Sequence, residues 1–202
     1  MADAPLLPPG ALPPTELRTA DAWLRRQRAE DAVADYEAVM ASKEALRVWC
    51  DGAWPEEGFT LEENVDDLAG HLEDAAAGTA YGYTAWDPTG TRVLGSLYLE
   101  PTAPFLDAYV VDDATRAALA TCDVRIELWL RSDLPRDVEP RVLAAVRDWL
   151  VDAWPFRRPG WGSRRGMHAR RAYLEVLGFV EVAALASRDG DRRFHLHAAP
   201  IA

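Results

Sequence analysis

The sequence predicts a single α+β domain in which one mixed sheet carries helices on its faces. Its 202 residues suffice to bury a substantial core as one unit. Apolar residues switch between helical spacing and strict alternation in the order strand, two helices, three strands, helix, strand, helix, two strands, a succession that lays helices onto a sheet. A hydrophobic content of 49% with 8 Trp, against 27% charged residues, is that of a globular chain and excludes disorder over most of its length. No internal repeat is visible.

Residues 1–14 carry Pro5, Pro8, Pro9, Pro13, Pro14 and Gly10, which deny backbone hydrogen bonds to a helix or sheet and predict an extended arm, leaving 15–202 as the domain. Ala22-Trp23-Leu24-Arg25-Arg26 reads as the first strand. Glu30 and Asp31 then stand where a helix N-terminus favours negative charge, and Val33, Tyr36, Val39, Met40 and Leu46 form one apolar stripe on a helix ending near Cys50-Asp51-Gly52. Thr60 and Glu63 form a capping box that starts the next helix, whose Leu61, Val65, Leu68 and Leu72 predict a core-facing stripe.

After Gly78 the period shortens. Tyr81 to Trp86, the turn Asp87-Pro88-Thr89-Gly90 and Val93 to Glu100 predict an antiparallel hairpin. Residues 101–121 read as a long excursion with a helical turn at Asp113 to Leu119. Asp123 to Arg131 is the clearest strand, with Val124, Ile126, Leu128 and Leu130 alternating with Arg125, Glu127, Trp129 and Arg131. Pro140 sits near a helix start and leads into the amphipathic Val142, Val146, Trp149, Leu150 and Ala153. A last helix, Met167 to Leu177, stops at Gly178, and 179–187 with 192–197 close the chain as a hairpin around Asp189-Gly190.

With 22 basic and 33 acidic residues the net charge is −11, which argues against nucleic-acid binding through bulk electrostatics. No apolar run approaches the roughly 18 residues that span a bilayer. The first residues, with Asp3 and prolines, lack the pattern of a secretory signal, so a cytoplasmic location and no membrane partner are expected. Cys50 and Cys122 show no metal-ligand spacing and read as reduced thiols. His195 and His197 share a strand face without a third ligand, and no metal is assigned. Between Asp152 and Glu175 the chain has no acidic residue but holds Arg157, Arg158, Arg164, Arg165, Arg170 and Arg171. This window reads as a solvated arginine face, as a phosphate-binding surface, or as a surface for RNA or an acidic protein.

Arg125-Ile126-Glu127-Leu128-Trp129-Leu130 and Ala169-Arg170-Arg171-Ala172-Tyr173-Leu174-Glu175-Val176-Leu177-Gly178-Phe179 are similar, in order and wording, to the fourth strand and late helix of the ribosomal-protein-acetylase-like branch of the GNAT superfamily of N-acetyltransferases. The resemblance spans roughly residues 15–198. It implies a GNAT-like mixed, mostly antiparallel sheet with helices on both faces. The fourth and fifth strands would splay to admit the pantetheine arm of acetyl-CoA, the acyl donor. Backbone groups of Leu128, Trp129 and Leu130 would pair with that arm. Arg131, Arg136 and Val138 would lie by the diphosphate at the N-terminus of the following helix, where free N–H groups and the helix dipole favour an anion. The family's diphosphate loop is Arg/Gln-x-x-Gly-x-Gly/Ala, whereas the run here, Arg131 to Val138, has no glycine and two carboxylates. Arg170 and Arg171 are the residues that would hold phosphate in its place.

The resemblance further implies a small-molecule or peptide amine as acceptor, with a general base to take its proton. Alternation puts Arg125, Glu127 and Trp129 on one face of their strand and Ser96, Tyr98 and Glu100 on one face of its expected neighbour. If the faces coincide they make a pocket, with Glu127 the candidate base and Tyr98 the candidate proton donor or water-orienting group. The alternative for Glu127 is an ion pair with Arg125 or another buried arginine. A non-catalytic ligand- or partner-binding module with a lost cofactor loop is the other functional class.

Overall fold

The computed structural model describes residues 4–201. Its nine strands are β1 (Glu16–Arg18), β2 (Trp23–Arg26), β3 (Tyr81–Trp86), β4 (Val93–Glu100), β5 (Tyr109–Val110), β6 (Val124–Leu130), β7 (Pro159–Arg164), β8 (Val180–Ser187) and β9 (Arg193–Ala198). They form one sheet in the order β1-β2-β3-β4-β6-β7-β9-β8-β5. Every neighbouring pair is antiparallel except β6 and β7. The α-helices are α1 (Ala32–Ala41), α2 (Lys43–Cys50), α3 (Leu61–Ala77), α4 (Thr102–Phe105), α5 (Asp113–Leu119), α6 (Val138–Ala153) and α7 (His168–Val176). The architecture is the expected α+β, mostly antiparallel sheet.

Alternation along the strands divides the sheet into two chemically different faces. Tyr81, Tyr83, Leu97, Leu99, Val124, Ile126 and Leu128 pack with Val142, Leu143, Val146 and Leu150 of α6. Each such buried side chain is worth roughly 1.5–3 kcal/mol. The opposite face carries Ser96, Tyr98, Glu100, Arg125, Glu127 and Trp129, and α1 lies over it. Register places Ser96 opposite Trp129, Tyr98 opposite Glu127 and Glu100 opposite Arg125, so the two polar rows expected from sequence share one face.

The parallel pair is short. Val124, Arg125 and Ile126 face Pro159, Gly160 and Trp161, and the ladder ends there. Glu127 to Leu130 therefore continue along β4 with no strand on their other side. Gly162 stands at the parting, where a Cβ would lie 2.3 Å from Glu127 Oε1, so only glycine lets that carboxylate seat against β7.

Several local expectations need correction. The helix expected from Val33 to Cys50 is two helices, because at Ser42 the backbone leaves the helical region (φ −119°, ψ 13°) and its N–H turns back to the Val39 carbonyl. Val33, placed on the buried stripe, is 57% exposed. On α3, Leu61 and Val65 are also exposed, while Asn64 and Leu68 are buried, because α3 packs against α1 as well as β3 and buries a different line of its surface. Its Thr60–Glu63 capping box is as expected, and it ends at Gly78 in the left-handed region. β1 was not foreseen. The proline-rich segment, expected as an extended arm, packs on the domain: Leu7 is buried, the Leu6 N–H donates to the Gly78 carbonyl at 2.8 Å, and the Tyr83 hydroxyl donates to the Pro14 carbonyl. Residues 1–3 lie outside the described residues. No described helix is long and apolar enough to cross a membrane.

Candidate active site

The parting of β6 and β7 leaves the Leu128 carbonyl without a strand partner, and two side chains fill that vacancy. Trp49 Nε1 donates to it at 2.8 Å and Arg170 Nη1 at 3.0 Å. Trp49 comes from α2, which is fixed in place at its C-terminus. There Asp51 adopts φ 50°, and its Oδ2 accepts the Arg193 N–H of β9 at 2.7 Å. Arg170, 5% exposed, comes from the first turn of α7 and also donates to Glu139 Oε1 at 2.5 Å.

Two cavities flank this junction. The larger, about 340 Å³, lies over the polar face of the sheet beneath α1, α3 and the 51–60 segment, and includes Asp35, Trp49, Trp54, His71, Tyr98 and Glu127 in its lining. The smaller, about 180 Å³, lies between α2, the end of β6 and the start of α7, with Leu130, Glu139, Met167 and Arg170 among its walls. Trp49 is the one residue that lines both, and its indole is the partition between them.

In the larger cavity Glu127 is 2% exposed and fully engaged. Arg125 Nη1 donates to its Oε1 at 2.6 Å, and Arg164 Nη1 reaches both oxygens at 3.1 Å. Arg125 also binds Glu100. Burial pushes the Glu127 pKa up, but the charges and hydrogen bonds of Arg164 and Arg125 outweigh it, and the carboxyl is held below its ordinary range. A carboxylate so held is a weak proton acceptor, and the alternative of a buried ion pair describes its geometry. Tyr98 lies in the same cavity with its ring 4.8 Å from that of His71 and 6.5 Å from that of Trp49. Burial pushes its phenol pKa well up, so it stays protonated and able to donate.

Asp35 of α1 was not singled out in the sequence. It is 8% exposed and receives Asn64 Nδ2 at 3.2 Å and Ser96 Oγ at 3.4 Å. Burial raises its pKa, and these hydrogen bonds and the nearby His71 only partly oppose that. A carboxyl with a raised pKa in a cavity is the usual physical profile of a general base. Neither Asp35 nor Trp49 carries a local motif. Their placement becomes visible only when α1 and α2 fold over a strand some 60 to 80 positions away.

The residues expected around the donor are distributed as follows. Leu128 and Trp129 are buried, Leu130 is half-buried, and the Arg131 N–H donates to Leu94 across the β4 edge. The Arg131 side chain binds Asp133 at 3.0 Å, Val138 is buried, and Arg136 is exposed. Hydrogen bonds from Arg131 lower the Asp133 pKa to about 2, and the hydrogen bond from Arg141 lowers that of Asp137, so both carboxylates stay ionised beside the N-terminus of α6. This first turn carries its own negative charge, with Glu139 as well, where an anionic ligand would need positive potential.

The arginine window is not one solvated face. Arg164 and Arg170 are buried on Glu127, Glu139 and the Leu128 carbonyl. Arg158 binds Thr121 and the Ala199 carbonyl, and Arg171 donates to the carbonyls of Arg164 and Arg165. His195 pairs with Glu181 at 2.8 Å.

This architecture is similar to that of solved acetyltransferases. A ribosomal-protein-S5-alanine acetyltransferase from Vibrio fischeri superimposes with a TM-score of 0.65 at 15% identity, over 92% of this chain and 96% of that one. An acetyltransferase from Salmonella typhimurium that modifies the N-terminal serine of the 50S ribosomal subunit protein L7/L12 gives 0.64 at 17% identity, over 91% and 97%. RimJ from Mycobacterium smegmatis, in complex with CoA-disulfide, gives 0.66 at 18% identity, over 91% and 84%. No family model and no curated protein matches the sequence. At these identities the likeness establishes the fold, which is that of the GNAT acetyltransferases.

Proposed function

Starting from a chain with the GNAT acetyltransferase fold, we propose that it transfers an acetyl group from acetyl-CoA to a primary amine. One observation carries the reading: the β6–β7 ladder stops at Ile126 and Trp161, opening the middle of the sheet beside the 340 Å³ cavity. The edge of β6 from Glu127 to Leu130 that faces away from β4 and has no strand partner suits the amide-bearing arm of the donor, and an acceptor in the cavity would meet a thioester at the parting. The Leu128 carbonyl becomes available to that arm only when Trp49 and Arg170 release it. The loop from Arg131 to Val138 fits a diphosphate less well, since it lacks glycine and its two arginines are offset by Asp133 and Asp137, with Arg136 its exposed cation. Tyr98 is the proton donor of this reading. Glu127 keeps Arg125 and Arg164 neutralised under the cavity floor.

The second reading is a ligand-binding module without acyl transfer. The occupied Leu128 carbonyl and the glycine-free loop favour it. Melting with saturating acetyl-CoA separates the two. A ligand at about 100 times its Kd adds about 2.7 kcal/mol to the native state. For a chain of this length that is a rise of roughly 5–10 °C. An unchanged Tm at millimolar acetyl-CoA selects the binding module.

A further inference from the structure

The larger cavity encloses a buried carboxyl, Asp35, that no arginine pairs with. The arginines there are already engaged, Arg164 with Glu127 and Arg125 with Glu127 and Glu100. Elsewhere the buried Asp31 has Arg25 at 2.6 Å. Asp35, also buried, has the neutral donors Asn64 and Ser96 and no arginine, with the His71 imidazole nearby. Gln27 borders the same cavity, and its buried Oε1 has no hydrogen-bond donor. One acceptor without a donor and one carboxyl without an arginine partner sit in a lining shared with the aromatic rings of Trp49, Trp54 and Tyr98. A buried carboxylate without a cation is unfavourable, and a ligand that brings one relieves it. Cations also lie well against aromatic faces.

We infer that the acceptor is a small primary amine with an apolar body, its ammonium group on Asp35 and its hydrocarbon or aromatic part against Trp49, Trp54 and Tyr98. The volume stands at the small end of the ~300–1,000 Å³ range of small-molecule sites. The Leu128 carbonyl at the junction is held by side chains rather than open to a peptide backbone. The chemical consequence rests on the proposed acyl transfer, whereas the binding does not. In that reaction the Asp35 carboxylate takes one proton from the ammonium, and the nitrogen lone pair attacks the thioester carbonyl. The C–N bond forms as the C–S bond breaks with its electrons on sulfur. The second nitrogen proton passes to sulfur, giving amide and free thiol, and Asp35 returns its proton to solvent.

The test is calorimetry on the full chain without acyl donor, using phenethylamine, benzylamine and isoamylamine as probes and 2-phenylethanol as the uncharged control. At least one amine should bind more tightly than the alcohol. Asp35→Asn should weaken that binding about 10- to 100-fold, as expected for a lost charge-assisted hydrogen bond. Its melting curve checks that the variant folds, and Glu62→Gln, on the exposed side of α3, should bind like the parent. No amine binding at millimolar concentration, equal binding of alcohol and amine, an undiminished Asp35→Asn, or tighter binding of an unblocked tripeptide than of every small amine would each overturn the inference. Because no donor is present, these results are independent of the acetyl-CoA melting shift.

Discussion

Glu127 and Asp35 are both enclosed under the same cavity, and the arginines around one and not the other set their pKa shifts in opposite directions. Glu127 has a folded-state pKa below its unfolded value near 4.5, so its contribution to stability is present above that value and is lost as pH falls through the folded one. Removing it leaves Arg125 and Arg164 buried without a counter-charge, and Glu127→Ala should cost about 3–5 kcal/mol in urea unfolding. Asp35 has the opposite sign. Its raised pKa makes the ionised form a burden on the fold at neutral pH, and the burden fades as pH falls through the folded value. Asp35→Asn should therefore raise stability at pH 7 by roughly 1 kcal/mol, or about 2–4 °C in Tm, and the gain should vanish in acid. An Asp35→Asn variant no more stable than the parent at pH 7 would show that the cavity already satisfies the charge.

Helix α2 decides whether the two cavities communicate. It is clamped by Asp51 to β9 and by Val48 against Gly166, where a Cβ would lie 2.6 Å from Val48 Cγ1. From that seat it holds Trp49 on the Leu128 carbonyl. Trp49→Phe keeps most of the packing but removes the N–H. It should tighten acetyl-CoA binding roughly threefold to tenfold in calorimetry, the worth of about 1 kcal/mol of hydrogen bond no longer to be broken. Unchanged or weaker binding would mean that the indole does not compete with the donor arm. Little of this element was legible in the sequence. Val39, Met40 and Leu46 maintain helical spacing straight through Ser42, and serine is not a strong enough breaker to announce a second helix. By contrast the capping box at Thr60 and the stop at Gly178 were readable, because each satisfies a backbone requirement within a few residues.

Across the whole molecule, the polar and apolar faces of the sheet were legible because strand alternation is strict at 96–100 and 124–130 and the hairpin order makes them neighbours. The parallel β7 was harder to read, since Pro159-Gly160-Trp161-Gly162 has no alternating apolar pattern. The arginine window misled because residue type alone does not reveal that Arg164 and Arg170 turn inward. With a net charge of −11 and those two cations buried, the protein should pass through heparin without retention at low salt. Retention there would point to a nucleic-acid surface. The central claim is that the interior parting of the sheet receives the acyl donor's arm, and hydrogen exchange over 124–131 tests it most directly. Saturating acetyl-CoA should slow exchange in this strand, while adenosine 3′,5′-bisphosphate, which has no such arm, should leave it unchanged. Equal exchange with and without acetyl-CoA would contradict the account.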